Sequence, residues 1–471
     1  MEFKKTMING DSVPAISESF PDYEVMLISI LDAMIERYLR NPDDSFIDTK
    51  LNIITGKDFP EANDVESDFR GRTAVFGWIQ GRALESLVGH ALWLPECTIL
   101  NKTQRQDRVT VLNKMIEALV QTLEEVRLKN SGHLFFMFTP HGSPFIVDEN
   151  RRRKYIEINA DAPFNTSDLF YAKAMIAAAD YLQDERIKNT AMAYFRDILN
   201  AMNEGTYTTD QISFDPKNKV QPVPGKHTHG SRMVALSGLA TAARVSDDPF
   251  WTDIGCRFIR ETLEYHVHHG DDTALKEYDL FEAIDNERKP WKDDGRILSD
   301  PGHSLEFVGL ATKFLLELER RSATSDTELD ILERCRREFP EIFIRNLANG
   351  FNPEVGGICK AFDLISRKPI NSDMPWWNLP ETLRAGAELL LFCPEMDCRS
   401  EILRGIRDCS NGFFRSFVNP KVHLMAYQTI DRGGRPVDVV PATPDADPGY
   451  HTGLSIIDFL ECMKKLPVST A

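Results

Sequence analysis

The sequence lacks the features of membrane-spanning, secreted and nucleic-acid-binding proteins. No segment approaches the roughly 18 apolar residues of a membrane span, and residues 1–16 contain no apolar stretch that could serve as a signal peptide. Basic residues are scarce, because 55 Lys and Arg stand against 72 Asp and Glu, giving a formal net charge of −17. Nucleic acids and anionic membranes require a basic surface, so we expect neither as a partner.

The chain also lacks paired cysteines, phosphate-binding glycine loops and linkers. Its eight cysteines include no Cys-x-x-Cys pair, a pattern that indicates reduced thiols and a cytoplasmic location. Neither standard glycine-rich phosphate motif is present. No linker or low-complexity run divides the 471 residues, so we expect a single domain over residues 1–471.

Apolar residues at helical spacing predict twelve helices, and the connections between them alternate between long and short. Such hairpins, joined in order, form a ring of paired helices with all long connections at one end. Residues 133–147 and 422–440 predict short β-hairpins within those long connections. The predicted helices cover residues 22–40, 72–93, 106–129, 166–183, 185–203, 229–245, 249–267, 303–321, 325–346, 376–392, 397–409 and 451–466.

Residues suited to chemistry gather where every second helix begins. If those helices form the inner ring, their side chains converge on one pocket at the end that carries the long connections. The residues are Trp78, Arg82, His229, His303, Glu306, Trp376, Trp377, Glu381 and His451.

A histidine at a helix start is suited to proton transfer. The positive end of the helix dipole disfavours the imidazolium, which predicts a neutral ring able to accept a proton. Two such histidines on opposite sides of a substrate could remove a proton from one face of a carbon and return one to the other face. Epimerisation requires this arrangement.

Five motifs, in order along the chain, resemble the N-acylglucosamine 2-epimerase and cellobiose 2-epimerase superfamily. The resemblance covers roughly residues 70–466, and its motifs are Trp-Ile-Gln-Gly-Arg (78–82), Pro-Gly-His-Ser-Leu-Glu (301–306), Trp-Trp-x-x-x-Glu (376–381), Asp-Arg-Gly-Gly-Arg-Pro (431–436) and Tyr-His (450–451). It implies an all-α fold, the (α/α)6 barrel, and a small-molecule sugar as substrate. The implied chemistry needs no cofactor and no metal ion. A homodimer is an expectation from the family alone.

The resemblance also implies roles for individual residues. His303 and His451 correspond to the acid/base pair, and Arg82 to the arginine that binds the sugar and its enediolate. Glu306 and Glu381 match glutamates that support the histidines or hold hydroxyl groups. Trp377 matches a residue that packs on the sugar ring, and His229 a further pocket histidine.

Two departures from the family pattern bear on the substrate. Gly309 stands where the family usually has tryptophan, so we expect a wider pocket or the loss of a stacking surface. After His451 the family often reads Val-Pro-Arg, whereas this chain has Thr452-Gly453-Leu454.

The sequence leaves four functions open. The first is a carbohydrate 2-epimerase acting on an aldose or N-acylhexosamine through a cis-enediolate, and the second is an aldose–ketose isomerase on the same site. The third is a glycosidase or lyase, for which Glu306 and Glu381 are the available carboxylate pair. The fourth is a non-catalytic binding barrel.

A metal site at His266, His268 and His269 with Asp271 and Asp272 is disfavoured, since adjacent loop histidines are usually solvated.

Overall fold

Twelve long helices, preceded by one short helix, build the fold. The computed structural model describes residues 2–41, 45–60, 69–148, 152–159, 161–211, 223–270, 273–321, 325–438 and 445–467. Each of the twelve predicted helices is present. The helices are α1 (Val13–Ser17), α2 (Phe20–Arg40), α3 (Gly77–Trp93), α4 (Lys102–Lys129), α5 (Thr166–Leu182), α6 (Glu185–Glu204), α7 (Gly230–Val245), α8 (Phe250–Tyr265), α9 (Pro301–Glu319), α10 (Asp326–Gly350), α11 (Asn378–Phe392), α12 (Arg399–Gly412) and α13 (Ser455–Lys465).

The odd-numbered helices from α3 to α13 form an inner ring. Each packs against the next, and α13 returns to α3 to close the circle. Helix α11 is buried at every position except Leu391, as expected of a helix covered on all sides. The outer helices bury one face only; α6, for example, packs Phe195, Ile198 and Leu199 inward. This is the (α/α)6 barrel that the sequence predicts.

Side-chain caps fix the starts of several helices. Asn101, Asn165 and Ser325 each accept a hydrogen bond from a backbone N–H of the first turn, and the third residue of each helix returns a bond to the cap backbone. Pro340 lies inside α10, which continues through it to Gly350.

Short antiparallel strands occupy the long connections. Thr429–Ile430 pairs with Met374–Pro375 and bridges to Pro436, which agrees with a turn at 431–436, although residues 439–440 lie outside the described part. The hairpin predicted over 133–147 is only partly correct: Met137–Phe138 bridges to Pro144 but pairs mainly with Val75–Phe76. The other strands are Leu51–Asn52, Lys57–Asp58, Phe145–Val147, Arg153–Tyr155, His227–Thr228, Ala283–Ile284, Lys292–Asp293, Arg296–Ser299, Phe351–Asn352, Gly357–Ile358, Ala361–Asp363 and Lys368–Asn371.

One hydrophobic cluster runs from Ile8 to Leu466 and fills the space between the two rings. All eight cysteines are free, and all except Cys398 are buried. Among the described residues, no helix has the length and apolar character needed to cross a membrane.

Candidate active site

A cavity of about 670 Å³ opens where the inner helices begin. Its walls come from the first turns of those helices and from the long connections before them. The predicted site residues Trp78, Arg82, His303, Glu306, Trp376, Trp377 and His451 all line it. The inner-ring arrangement therefore brings together residues that are up to 373 positions apart in the sequence, from 78 to 451.

His303 lies against two carboxylates. Its Nδ1 is 3.1 Å from both carboxylate oxygens of Glu282 and 3.5 Å from Asp300 Oδ2. Asp300 is also the N-cap of α9, accepting hydrogen bonds from the backbone N–H groups of Gly302 and His303. The Nδ1 atom is thus occupied, and Nε2 is the nitrogen left for proton exchange.

The charge state expected for His303 from its helix-start position is wrong. Burial alone would lower the pKa of the His303 imidazole. The carboxylates of Asp300 and Glu282 have the opposite and larger effect, and they raise this pKa to about 9. Two carboxylates close to the ring outweigh the partial charge of a helix end. His303 is therefore an imidazolium at neutral pH, ready to donate a proton.

His451 has its own carboxylate partner, Glu381. Its Nδ1–H donates to Glu381 Oε1 at 2.7 Å, and the same oxygen accepts a hydrogen bond from Ser455 Oγ at 2.8 Å. Burial raises the pKa of Glu381, whereas Arg384 and then His451 lower it, to about 2. Glu381 does not line the cavity; it supports the histidine from behind.

Trp377 connects the two histidines. Its ring is inclined by 30° to the imidazole of His303 and by 34° to that of His451, with centroid distances of 5.4 Å and 5.7 Å. Lys360, which pairs with Asp300 at 2.6 Å, places its ammonium 5.4 Å from the same indole. The indole thus packs against both imidazoles at the cavity wall.

Glu306 and Arg82 line the same cavity as the two histidines. Burial and the neighbouring Glu381 raise the pKa of Glu306, which favours a carboxyl group that can donate to a sugar hydroxyl. Arg82 lies among the rings of Trp78, Phe170 and Tyr450, with its guanidinium carbon 4.6 to 5.9 Å from their centroids. No ion pair to Arg82 occurs within the described part of the chain, so its cation is available to an anionic intermediate.

His229 lies behind the cavity wall instead of in it. It is 1% exposed, its ring contacts those of His303 and His266, and its Nε2 is 3.6 Å from Glu282. This placement suits support of the Glu282 and His303 pair better than direct contact with a ligand.

The histidine-rich loop gives no support to a metal site. His266 donates to the backbone oxygen of Phe281, and His269 to that of Leu263; Asp271 and Asp272 lie outside the described residues. The described clusters with metal-ligating donor sets are instead Glu282, Asp300 and His303, and Glu306, Glu381 and His451.

The two departures from the family pattern have structural partners. Gly309 does not line the cavity, and a Cβ there would lie 3.3 Å from Ala385 and from Arg384 Nε. Asp447 caps the turn that begins at Tyr450, because its Oδ2 accepts hydrogen bonds from the backbone N–H and the hydroxyl of Thr452. A Cβ on Gly453 would lie 2.5 Å from His90 Cε1.

Sequence reasoning missed several residues of the site. Asp300 precedes Pro301 and could have been found as an N-cap. Glu282 lies in the connection before α9, 21 residues from His303, and no local pattern marks it. Asp210, which accepts a hydrogen bond from Trp78 Nε1–H and whose pKa burial raises to about 7, is equally unmarked.

Solved structures of sugar epimerases and isomerases share this architecture. A sugar epimerase from a ruminal bacterium matches with a TM-score of 0.65 and 13% identity, over 96% of this chain and 99% of that one. Cellobiose 2-epimerase from Bacillus thermoamylovorans matches with a TM-score of 0.59 and 13% identity, over 83% and 88%. D-mannose isomerase matches with a TM-score of 0.58 and 14% identity, over 93% and 97%. At these identities the similarity establishes the (α/α)6 fold.

The protein is a carbohydrate epimerase or isomerase built on an (α/α)6 barrel. The family described as N-acylglucosamine 2-epimerase (GlcNAc 2-epimerase) matches residues 148–451, well over half of the sequence, and the chain belongs to this family. No curated protein sequence matches the chain.

Proposed function

We propose that this chain interconverts the C2 epimers of an aldose or N-acylhexosamine in its open-chain form. The observation that supports this best is the pair of imidazoles on one indole, each with its Nδ1 against a carboxylate. Two proton carriers at one small cavity, one of them charged at rest, suit the removal of one proton from C2 and the delivery of another to its opposite face.

In the proposed reaction His451 is the base and His303 the acid. His451 Nε2 takes the C2 proton, the C–H electron pair forms the C1–C2 double bond, and the aldehyde oxygen becomes the anion of a cis-enediolate. Arg82 stabilises that oxygen. His303 Nε2–H then protonates C2 from the opposite face as the aldehyde re-forms, and the reverse reaction starts from the resulting protonation states. Glu306 holds a substrate hydroxyl, and Trp377 packs on the sugar.

An aldose–ketose isomerase on the same site differs only in where the second proton goes. Delivery to C1 instead of C2, with transfer of the O2 hydroxyl proton to O1 as the C2 carbonyl forms, gives the ketose. A hydrolase that uses the Glu306 and Glu381 pair is disfavoured, because Glu381 bonds to His451, Ser455 and Arg384 and does not face the cavity.

Incubation in D2O with aldoses, N-acylhexosamines and β-1,4-disaccharides, followed by proton NMR, tests the proposal. We expect loss of the C2–H signal and the appearance of the C2 epimer, and each of the variants His303→Ala and His451→Ala should slow turnover by about 10²–10⁴-fold. A ketose product would assign the isomerase reaction instead. A folded protein that binds sugars without C2 exchange would contradict both.

A further inference from the structure

A buried cation lies on the far side of Glu381 from His451. Arg384 follows Glu381 by three residues on α11, its side chain is 5% exposed, and its Nη2 pairs with Glu381 Oε2. The other oxygen, Oε1, accepts hydrogen bonds from His451 and Ser455. The carboxylate of Glu381 therefore connects the histidine on one side to the guanidinium on the other.

Gly309 makes room for this arginine. A Cβ at position 309 would lie 3.3 Å from Arg384 Nε and equally close to Ala385, on the facing side of α11. Any larger residue at position 309 would require Arg384 or Ala385 to shift by a few tenths of an ångström. The glycine that departs from the family pattern and the arginine beside Glu381 are thus two parts of one feature.

Arg384 is held as a cation by several buried acids. Burial lowers its pKa, but the carboxylates around it, Glu381 foremost, raise it well above its usual value. Glu388 of α11 is one of these acids and Asp458 of α13 is another. Lys313 of α9 is a second, partly exposed cation nearby, but it pairs with Asp458 at 2.6 Å instead of with Glu381.

We propose that Arg384 is a positioning residue for the base: it holds Glu381 as a carboxylate engaged on both sides, so that His451 keeps its proton on Nδ1 and offers Nε2 to the sugar. The inference rests on the function proposed above for His451. The guanidinium of Arg384, on the other side of Glu381, limits how strongly that carboxylate stabilises a charged imidazolium at His451.

The other charges around His451 do not substitute for Arg384. Among the described residues, these charges include Glu381 of α11, Glu306 of α9, Asp447 of the preceding loop and, beyond Tyr450, Arg82 and Glu85 of α3 and Lys173 of α5. The first three are acids, Arg82 faces the cavity, and Lys173 pairs with Glu85 at 3.1 Å. Loss of the Arg384 charge should therefore stabilise the protonated His451–Glu381 pair.

The variant Arg384→Met tests this without any need for turnover. NMR titration of the His451 imidazole in the sugar-free enzyme should show its pKa raised by about one unit relative to the wild type, and Arg384→Lys should restore it. Where a substrate is known, the ascending limb of kcat/KM should move to higher pH, with kcat reduced more than KM. Since the titration needs no sugar, it stands even if the proposed reaction fails.

Lys313→Met is the matched control. It removes a partly exposed cation that pairs with Asp458 on the neighbouring helix, and it should lower the melting temperature while leaving the His451 titration unchanged. If Arg384→Met behaved in the same way, losing stability with no change at His451, Arg384 would be a structural residue only.

A second comparison covers the case in which Arg384→Met does not fold. The single variant Glu381→Gln and the double variant Glu381→Gln/Arg384→Met differ only in the charge of Arg384. The double variant leaves neither member of the ion pair as an unpaired buried charge. His451 should titrate at higher pH in the double variant than in the single one. Equal titrations in the two proteins would overturn the proposal.

Discussion

At the scale of single residues, the two imidazoles have different electrostatic surroundings. His303 Nδ1 is within 3.5 Å of the carboxylates of Glu282 and Asp300, and Lys360 is the nearest opposing charge. His451 is hydrogen-bonded to one carboxylate, that of Glu381, whose charge Arg384 offsets. In the proposed reaction this difference assigns the role of the acid to His303 and that of the base to His451.

Neutralising Glu282 should shift to lower pH the range in which His303 can act as the proposed acid. Its carboxylate helps to raise the pKa of His303 to about 9, so Glu282→Gln should reduce that pKa by about one unit. The reaction needs His303 protonated, and therefore the descending limb of kcat/KM should move to lower pH. Glu287→Gln serves as the control, because Glu287 is an exposed acid on the same connection, paired with Lys289. An equal shift of the descending limb in that variant would show that the effect does not come from the contact between Glu282 and His303.

At the scale of elements, the helices were predictable and the details of the loop strands were not. Periodic apolar positions identify each long helix, since burial of one face repeats every three to four residues. The strand at Met137–Phe138 pairs with Val75–Phe76, more than 60 residues away, instead of chiefly with its neighbour in sequence. Pairings between distant short segments leave no periodic trace.

The same distinction applies to the candidate site. Trp377, His303 and His451 lie at helix starts, where short motifs reveal them. Glu282 and Arg384 act through contacts made only after the inner ring has assembled, and Arg384 reads in the sequence as one more charged helix residue. Sequence patterns therefore identified the two histidines that we propose as proton carriers. The groups that control the protonation of these histidines could be identified only from the structure.

The turn that carries His451 is a π-helix, Tyr450–Leu454, packed on a buried histidine of α3. Both Gly449, at φ 77°, and Gly453 approach His90, and a Cβ on Gly453 would lie 2.5 Å from His90 Cε1. Such π-turns interrupt regular helices and are often found at functional sites.

Gly453→Ala should therefore displace His451 and reduce kcat by about tenfold, because small misplacement of a reacting group is costly. KM should change less, since Arg82 and Glu306 belong to other helices. The double variant His90→Ala/Gly453→Ala removes the clashing ring and should recover much of the activity. Steady-state kinetics on the three proteins would decide; no recovery in the double variant would contradict the steric explanation.

At the scale of the whole molecule, the ring closes where the first long connection meets the last. The backbone N–H of Ala446 donates to Thr49 O at 2.9 Å, and Asp445 accepts from Thr49 Oγ1 and Lys50 Nζ, each at 2.6 Å. Tyr23 of α2 also contacts Phe459 of α13. We refer to this set of contacts as the seam. These contacts hold in place the segment that leads directly to His451.

Breaking the Lys50–Asp445 pair should destabilise the closed ring. Both side chains are buried, at 7% and 0% exposure, and removal of one partner leaves the other charge uncompensated, so Lys50→Met should lower the free energy of unfolding by about 3–5 kcal/mol. Lys50→Met/Asp445→Asn removes both charges and should regain most of that loss. Urea denaturation of the three proteins measures the effect. A single variant as stable as the wild type, or a double variant less stable than the single one, would mean that the seam is held by its apolar contacts and backbone hydrogen bonds instead of by this ion pair.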